Sequence, residues 1–350
     1  MDMRSVSLPF DSVLRHTAGA VRQGVALEAL LEQSRITPSH WDERDRVGPV
    51  QHLLLCMNTV LALGDATHGM ARQRMDALYP VIGLHTALGS PTLESAILAL
   101  ARLYSTASNA VCIQLRTEQQ HAILSVHMEA RDEGDTAYLE ENYLSWIFMQ
   151  ILHLLGREPA ISLVTVRHPT YLSRGGLHWA IGARVVQGPI TSFRFPRHLL
   201  GARPTARAGK NVMWECHQPW LALVADRSPP APCSYVNDNG FVRFSELVRE
   251  HGKTANTVRK YFRNAGGVFR DTRRSALVEA ASERLRRGDE SVETIAADLG
   301  YSDARSFRRF LKTATGLTPQ QIRAERGAVA PADETEALEA LEALCARMAV

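Results

Sequence analysis

The residues with the most evident chemistry lie in one short stretch, Ser291–Lys312, which reads S-V-E-T-I-A-A-D-L-G-Y-S-D-A-R-S-F-R-R-F-L-K. Its second half carries Arg305, Ser306, Arg308, Arg309 and Lys312. A guanidinium can donate two parallel hydrogen bonds to O6 and N7 of guanine, worth ~1–3 kcal/mol of discrimination against the wrong base. Any of the cations can neutralise a phosphate. Such groups read DNA only if a rigid element holds them in a groove, and the spacing predicts one. Val292, Ile295, Ala296 and Leu299 recur at i, i+3, i+4 and i+7, so a short helix has one apolar face. Gly300 comes next, where a helix commonly ends with positive φ. Ser302 or Asp303 can cap a second helix, on which Phe307, Phe310 and Leu311 share a face and the basic residues occupy the others. This is the pattern of a helix-turn-helix built to enter a major groove. A plain helical hairpin with a solvated basic face has the same local pattern, so context must decide.

The charge distribution supplies context. Residues 241–326 hold 18 Lys and Arg against 11 Asp and Glu, a net of +7. Residues 327–350 hold one Arg against five acids, and residues 1–240 hold 21 of each sign. The positive charge is therefore gathered in one stretch of domain size, as a surface that releases counterions from phosphates requires. A second unit of the same form is expected upstream. It would have a helix over 241–250 with Phe244, Leu247 and Val248 inward, a turn at Gly252 and a cap at Thr254. Its second helix, over 255–264, would present Asn256, Thr257, Arg259 and Lys260 outward. A helix over 271–287 would join the two units. At 1.5 Å per residue it spans ~25 Å, which allows outward helices about one duplex turn apart, ~34 Å.

Composition excludes other classes. A chain of 350 residues with 45% hydrophobic and 22% charged residues predicts two or more ordinary globular domains. The five cysteines (Cys56, Cys112, Cys216, Cys233, Cys345) include no C-x-x-C, which argues against a disulfide framework or zinc ribbon and fits a reducing cytoplasm. Early acids at Asp2 and Asp11 argue against a signal peptide, and the apolar run 53–63 contains Asn58 and is too short to span a bilayer. The 13 histidines lack H-x-x-x-H and H-E-x-x-H spacing, and no G-x-S-x-G, P-loop or dinucleotide fingerprint occurs. No catalytic residue, metal ligand or cofactor is expected. Cys216 beside His217 does not place two ligands on one helical face, so Trp214–His217 is read as a packing segment.

Residues 1–227 are predicted to be an α+β domain, helices first and then a mostly antiparallel sheet. Leu27, Leu30 and Leu31 continue a first helix, and Thr37 and Ser39 are both possible caps beyond it. A second helix runs from Val50 to Leu63 and closes at Gly64. A third covers Met70–Leu88, interrupted by Pro80 and punctuated by Gly83 and Gly89. Ser90 caps the next, which runs to Tyr104. The period then changes to two. Strands are expected at 111–115, 122–128, 162–167, 185–187 and 192–195, with helices at 137–155 and 212–225. A proline-rich linker covers 228–240, an all-α domain with two helix-turn-helix units covers 241–326, and an acidic helical tail covers 327–350. The tail places Leu338, Leu341, Leu344 and Met348 on one face, suited to docking on another domain or a second subunit, or else it frays.

Residues 241–326 resemble the C-terminal DNA-binding domain of AraC/XylS-type bacterial transcription regulators. The resemblance rests on Ile295-Ala296, Leu299-Gly300-Tyr301-Ser302-Asp303, Phe307, Arg309, Lys312, Gly316-Leu317-Thr318-Pro319 and Arg323 together. The upstream unit departs from the family pattern at Thr254, Asn256 and Leu247-Val248, which implies a smaller share of base reading there. Residues 20–210 resemble the N-terminal effector domain of the branch with an arabinose-binding-type domain. Here the matching pieces are Gly64-Asp65 with Gly69, Gly89–Glu94, His168-Pro169, and Phe193–Pro196 with Leu199-Leu200 after it. Gln218 after His217 departs from the P-C-H-R of DNA-repair methyltransferases with a similar DNA-binding domain. The resemblance implies a cytoplasmic regulator, activator or repressor, that binds double-stranded promoter DNA, answers to an unidentified small-molecule effector, contacts RNA polymerase and forms a homodimer. Two alternatives stay open: a ligand-independent regulator whose N-terminal domain oligomerises, and an enzyme joined to a DNA-binding domain.

Overall fold

The computed structural model describes residues 8–39, 41, 46–108, 110–167, 183–226, 236–237, 240–241, 277–278, 281–282, 284–285, 290–324 and 334–348. The chain divides into two compact units, 1–229 together with 331–350, and 230–330.

The first unit opens with a short ribbon, β1 (Leu8–Pro9) against β2 (Arg46–Val47), and helices α1 (Phe10–Arg22), α2 (Leu27–Gln33) and α3 (Pro49–Leu63). Leu27, Leu30 and Leu31 do not continue α1, because Gly24 turns the chain with φ +87° and a new helix begins. Neither Thr37 nor Ser39 caps α3, which starts at Pro49 after Gly48 and ends at Gly64 with φ +61°. Pro80 starts α4 (Tyr79–Leu88) rather than interrupting it, since a first-turn residue has no use for an N–H donor. Gly83 sits inside α4, where a Cβ would come within 3.1 Å of Leu100 and 3.2 Å of the Tyr104 hydroxyl. A larger residue there would press on the side chains of α5 (Leu93–Ala107), which would have to shift by a few tenths of an ångström. The cap of α5 is Thr92 and not Ser90, with Oγ1 accepting from the Ser95 N–H at 3.2 Å.

Strands β3 (Val111–Thr117), β4 (His121–Met128), β5 (Leu163–Val166), β6 (Arg184–Gln187) and β7 (Thr191–Pro196) form one sheet in the order β3-β4-β7-β5-β6. Every neighbouring pair is antiparallel except β5 with β6. Alternate residues Leu124, Val126 and Met128, with Phe193 and Phe195 beside them, are buried. Helix α6 (Glu133–Leu155) lies across this face, and α7 (Val212–Asp226) packs on α6. The predicted packing role of Trp214–His217 holds in part: Cys216 is buried in the core, while His217 also lines a cavity.

In the second unit, β8 (Val236–Asn237) pairs with β9 (Gly240–Phe241). Phe241 is thus a strand residue rather than the start of a helix. Residues 242–264 of the predicted upstream helix-turn-helix, and 228–232 of the linker, lie outside the described residues. Beyond them come α8 (Val292–Asp298), α9 (Ala304–Thr315) and α10 (Pro319–Ala324).

The last helix, α11 (Glu334–Met348), belongs to the first unit. Ala337, Leu341, Leu344, Cys345 and Met348 are buried against α3 and α7. Each fully buried leucine or methionine contributes ~1.5–3 kcal/mol relative to exposure, so the helix is held and not frayed.

Candidate nucleic-acid interface and effector cavity

Local hydrogen bonding explains why Ser291–Arg323 folds as three short helices. The Ser291 hydroxyl accepts from the Thr294 N–H at 3.0 Å and starts α8. Gly300, at φ +81°, turns the chain out of it. Asp303 caps α9 twice over: Oδ1 accepts from the Ser306 N–H at 2.7 Å and Oδ2 from the Ser306 hydroxyl at 2.9 Å. These bonds, the backbone one first, hold the Asp303 carboxyl below its ordinary pKa. Gly316, at φ +76°, ends α9, and a reciprocal box between Thr318 and Gln321 starts α10. Leu277, Ala281 and Leu285 join Ile295, Ala296, Leu299, Phe307, Leu311 and Ile322 in one core. The Tyr301 ring closes it edge-on to Phe307, with centroids 5.4 Å apart.

That core fixes which way the basic residues point. At about 100° per residue, Arg305, Arg309 and Lys312 fall within ~60° of one another and opposite Phe307 and Leu311. All three are exposed, and no ion pair among the described residues engages them. Arg308 is exposed too, but Nη2 donates to Glu293 Oε1 at 2.7 Å. The Ser306 hydroxyl is spent on Asp303. The five predicted contact residues therefore divide into three free cations on one stripe, one paired cation and one capping hydroxyl. Asn256, Thr257, Arg259 and Lys260 lie outside the described residues. The sequence reading missed Glu293, although its place in the first turn of α8, across from α9, is visible in the spacing.

The first unit holds a cavity of about 90 Å³. Met57, Met149, Met213, Met348, Trp146 and Val60 supply most of its apolar wall, with Asn142 and Ser145 as polar exceptions. Among the described residues its walls carry no Asp, Glu, Lys or Arg. The histidines on it are held neutral. Burial pushes His52 to about 3, helped by His68. Burial pushes His68 to about 4 against the pull of Asp65. It likewise pushes His217 to about 4, against the Met213 carbonyl that its Nδ1 meets at 2.6 Å. Two wider hollows, of about 690 and 450 Å³, are surface grooves lined by charged groups such as Arg197 and Arg131. The apolar cavity is the better candidate for a small-molecule site. Its floor depends on Asp65, whose buried carboxylate accepts from the Thr67, Gly69 and Met75 N–H groups. Gly64-Asp65 with Gly69 thus builds a loop and presents no ligand-binding head group.

Beside this cavity the fold gathers titratable groups that the sequence does not show together. His52 and Cys56 from α3, His68 from the loop after α3 and Tyr138 from α6 gather around His16 from α1. His16 is pushed well below its ordinary value by burial, then by the neighbouring His68 and His52. The signal for part of this cluster was present: His52 and Cys56 stand at i and i+4, an H-x-x-x-C pair on one helical face.

A capped helix that presents free arginines away from its own core, carried in one chain with a separate α+β unit, is the form of a two-part DNA-binding regulator. Residues 24–203 match the N-terminal arabinose-binding domain of AraC transcription regulators, and residues 247–325 match a helix-turn-helix domain. The chain belongs to the AraC family of transcription regulators. The crystal structure of the transcriptional regulator CdpR from Pseudomonas aeruginosa is similar at 16% identity and a TM-score of 0.31, over 93% of this chain and 98% of that one. No curated protein matches the chain.

Proposed function

We propose that this transcription regulator is controlled by a neutral, largely apolar small molecule bound in the cavity between α3, α6, α7 and α11. The observation that carries the reading is a wall lined by apolar side chains and imidazoles that burial holds neutral, with no Asp, Glu, Lys or Arg among the described residues. A charged effector would enter there without a partner, at a cost of several kcal/mol. The cavity is smaller than the ~150 Å³ that takes up benzene, so a ring-sized effector needs its walls to yield. Four methionines are suited to that, being unbranched and adaptable. Binding would favour one state of the chain, with coupling of ~1–3 kcal/mol to promoter affinity.

Arg305, Arg309 and Lys312 carry base and phosphate contacts in this reading, Arg308 contributes once released from Glu293, and Ser306 positions the helix. Asn256, Thr257, Arg259 and Lys260 complete the interface from the upstream unit. The regulator works in the cytoplasm as a homodimer in contact with RNA polymerase and performs no catalysis. The domain division 1–227, 228–240, 241–326 stands as the working division, with the tail assigned to the effector domain. A thermal-shift screen of neutral metabolites against the full chain tests the effector. A ligand at 100 times its Kd adds about 2.7 kcal/mol of stability, and Ala66→Phe, which fills the cavity, should abolish the shift. No stabilisation by any compound would favour an N-terminal domain that only oligomerises.

A further inference from the structure

Three side chains from two helices converge at the wall of the cavity. Cys56 Sγ lies 3.6 Å from His16 Nδ1 and 3.7 Å from His52 Nδ1. The three donor atoms all fall within 4.8 Å of one another. As hydrogen-bonding groups they are poorly matched. One thiol proton faces two imidazole nitrogens, and the Tyr138 hydroxyl meets His16 Nδ1 as well. The outer nitrogens, Nε2 of His16 and of His52, are buried with no hydrogen-bond partner among the described residues. As ligands they are well matched. With metal–sulfur bonds of ≈ 2.3 Å and metal–nitrogen bonds of ≈ 2.0–2.1 Å, the S···N edge is about 3.5 Å in a tetrahedron and about 3.8 Å in a trigonal plane. Both observed separations lie between these limits.

We propose that His16, His52 and Cys56 bind one thiophilic transition-metal ion, Cu⁺ or Zn²⁺, in the wall of the effector cavity. Two imidazoles and a thiolate form a soft donor set, and the absence of a carboxylate among them disfavours Ca²⁺ and Mg²⁺. Binding displaces the Cys56 proton to solvent and leaves a metal–thiolate bond. A Cu⁺–thiolate unit is neutral, which suits a buried place whose ligands carry no other charge. Zn²⁺ carries one charge more and would put it on the cavity wall, so Cu⁺ is the better match. His52 and Cys56 both line the cavity, so the ion would form part of its surface. The site needs only α1 and α3 and stands or falls apart from the identity of the effector.

The full chain, reduced and stripped with a chelator, is titrated with Zn²⁺ and, in a separate anaerobic arm, with Cu⁺. Bound metal is counted by elemental analysis and its shell read by X-ray absorption. The expected result is one ion per chain with one sulfur neighbour and two nitrogen neighbours. Cys56→Ala and His16→Ala should each weaken binding by about 100-fold or more, since even outer-shell partners cost 10–100-fold. Cys112→Ala, a free cysteine on β3, should bind as the unaltered chain does. Circular dichroism confirms that each variant folds, and the sulfur shell of the unaltered chain decides the matter where one does not. Substoichiometric binding of both ions, a shell without sulfur, or binding unmoved by Cys56→Ala in a folded chain overturns the proposal. Effector binding is read separately by thermal shift, so either proposal can fail alone.

Discussion

Arg305→Ala and Arg308→Ala should differ in kind. Arg305 is the second residue of α9, its head is free among the described residues, and the first residues of a recognition helix are those that meet base edges. Losing a bidentate guanine contact costs ~1–3 kcal/mol, about 5- to 160-fold in Kd, and the loss should fall on one base pair of the operator. Arg308 is held by Glu293 at 2.7 Å in a solvent-exposed pair that water and salt screen, so DNA can compete for it. Arg308→Ala should weaken binding evenly across operator variants and lower the salt slope by about one, the mark of a lost phosphate contact. Glu293→Gln should do the reverse, tightening binding and steepening the slope. The assay is fluorescence anisotropy on operator fragments taken from a genome-wide binding map. It is run at several salt concentrations and repeated with each base pair substituted. If Arg305→Ala loses affinity evenly and drops the slope by one, Arg305 is a phosphate clamp and the stripe does not read bases as argued. If it loses nothing, α9 is not the reading helix.

Burial sets the other expected outcomes. Leu341→Ala on α11 should destabilise the first unit by ~2–5 kcal/mol, seen as a lower urea midpoint of the full chain. Glu140 is fully buried and accepts from Arg167 at 3.0 Å and the Thr191 hydroxyl at 2.8 Å, and it meets His127 at 2.9 Å. Glu140→Ala should cost ~3 kcal/mol in thermal melts by leaving these groups without their carboxylate. His217 is neutral in the fold down to about 4, whereas in the unfolded chain it takes up a proton near its ordinary value. The unfolded state thus binds more protons in between. The stability from its neutral burial is complete above about 6.5 and falls by ~1.4 kcal/mol per pH unit toward the folded value. His217→Gln should make the urea midpoint less steep with pH over that range, to which His16, His52 and His68 also contribute, and an unchanged profile would remove the argument.

What the sequence revealed was local. Gly300 and Asp303 act on residues within four positions, so the helix-turn-helix could be read off spacing, and of the two caps that spacing offered for the second helix, Ser302 and Asp303, the bond is found at Asp303. Alternation in 111–128 likewise gave two strands in antiparallel register. Errors arose where a distant group overruled a local signal. Ser90 and Thr92 are both capable caps, but the Leu93 N–H is taken by the Ala202 carbonyl at 2.8 Å, which fixes the start at Thr92. The exception is Ser306, read as a contact residue although its hydroxyl is taken by a near neighbour, Asp303. The cavity was illegible because His52, His68, His217 and Met348 come from four separated segments. The tail showed its apolar face but not what it covers.

The destination of α11 changes what kind of chain this is. The sequence leaves the first unit near residue 229, builds the second, and returns at 331. The second unit is therefore an insertion within the first, joined to it by covalent chain at both ends. Cutting the first connection would not release it, because α11 would still hold the far end through five buried side chains, and cutting the second would leave the first connection intact. Ending the chain before 331 would strip apolar cover from α3 and α7 and take Met348 from the cavity wall. A reporter fused after Val350 would then report on the first unit, although it comes after the second in sequence.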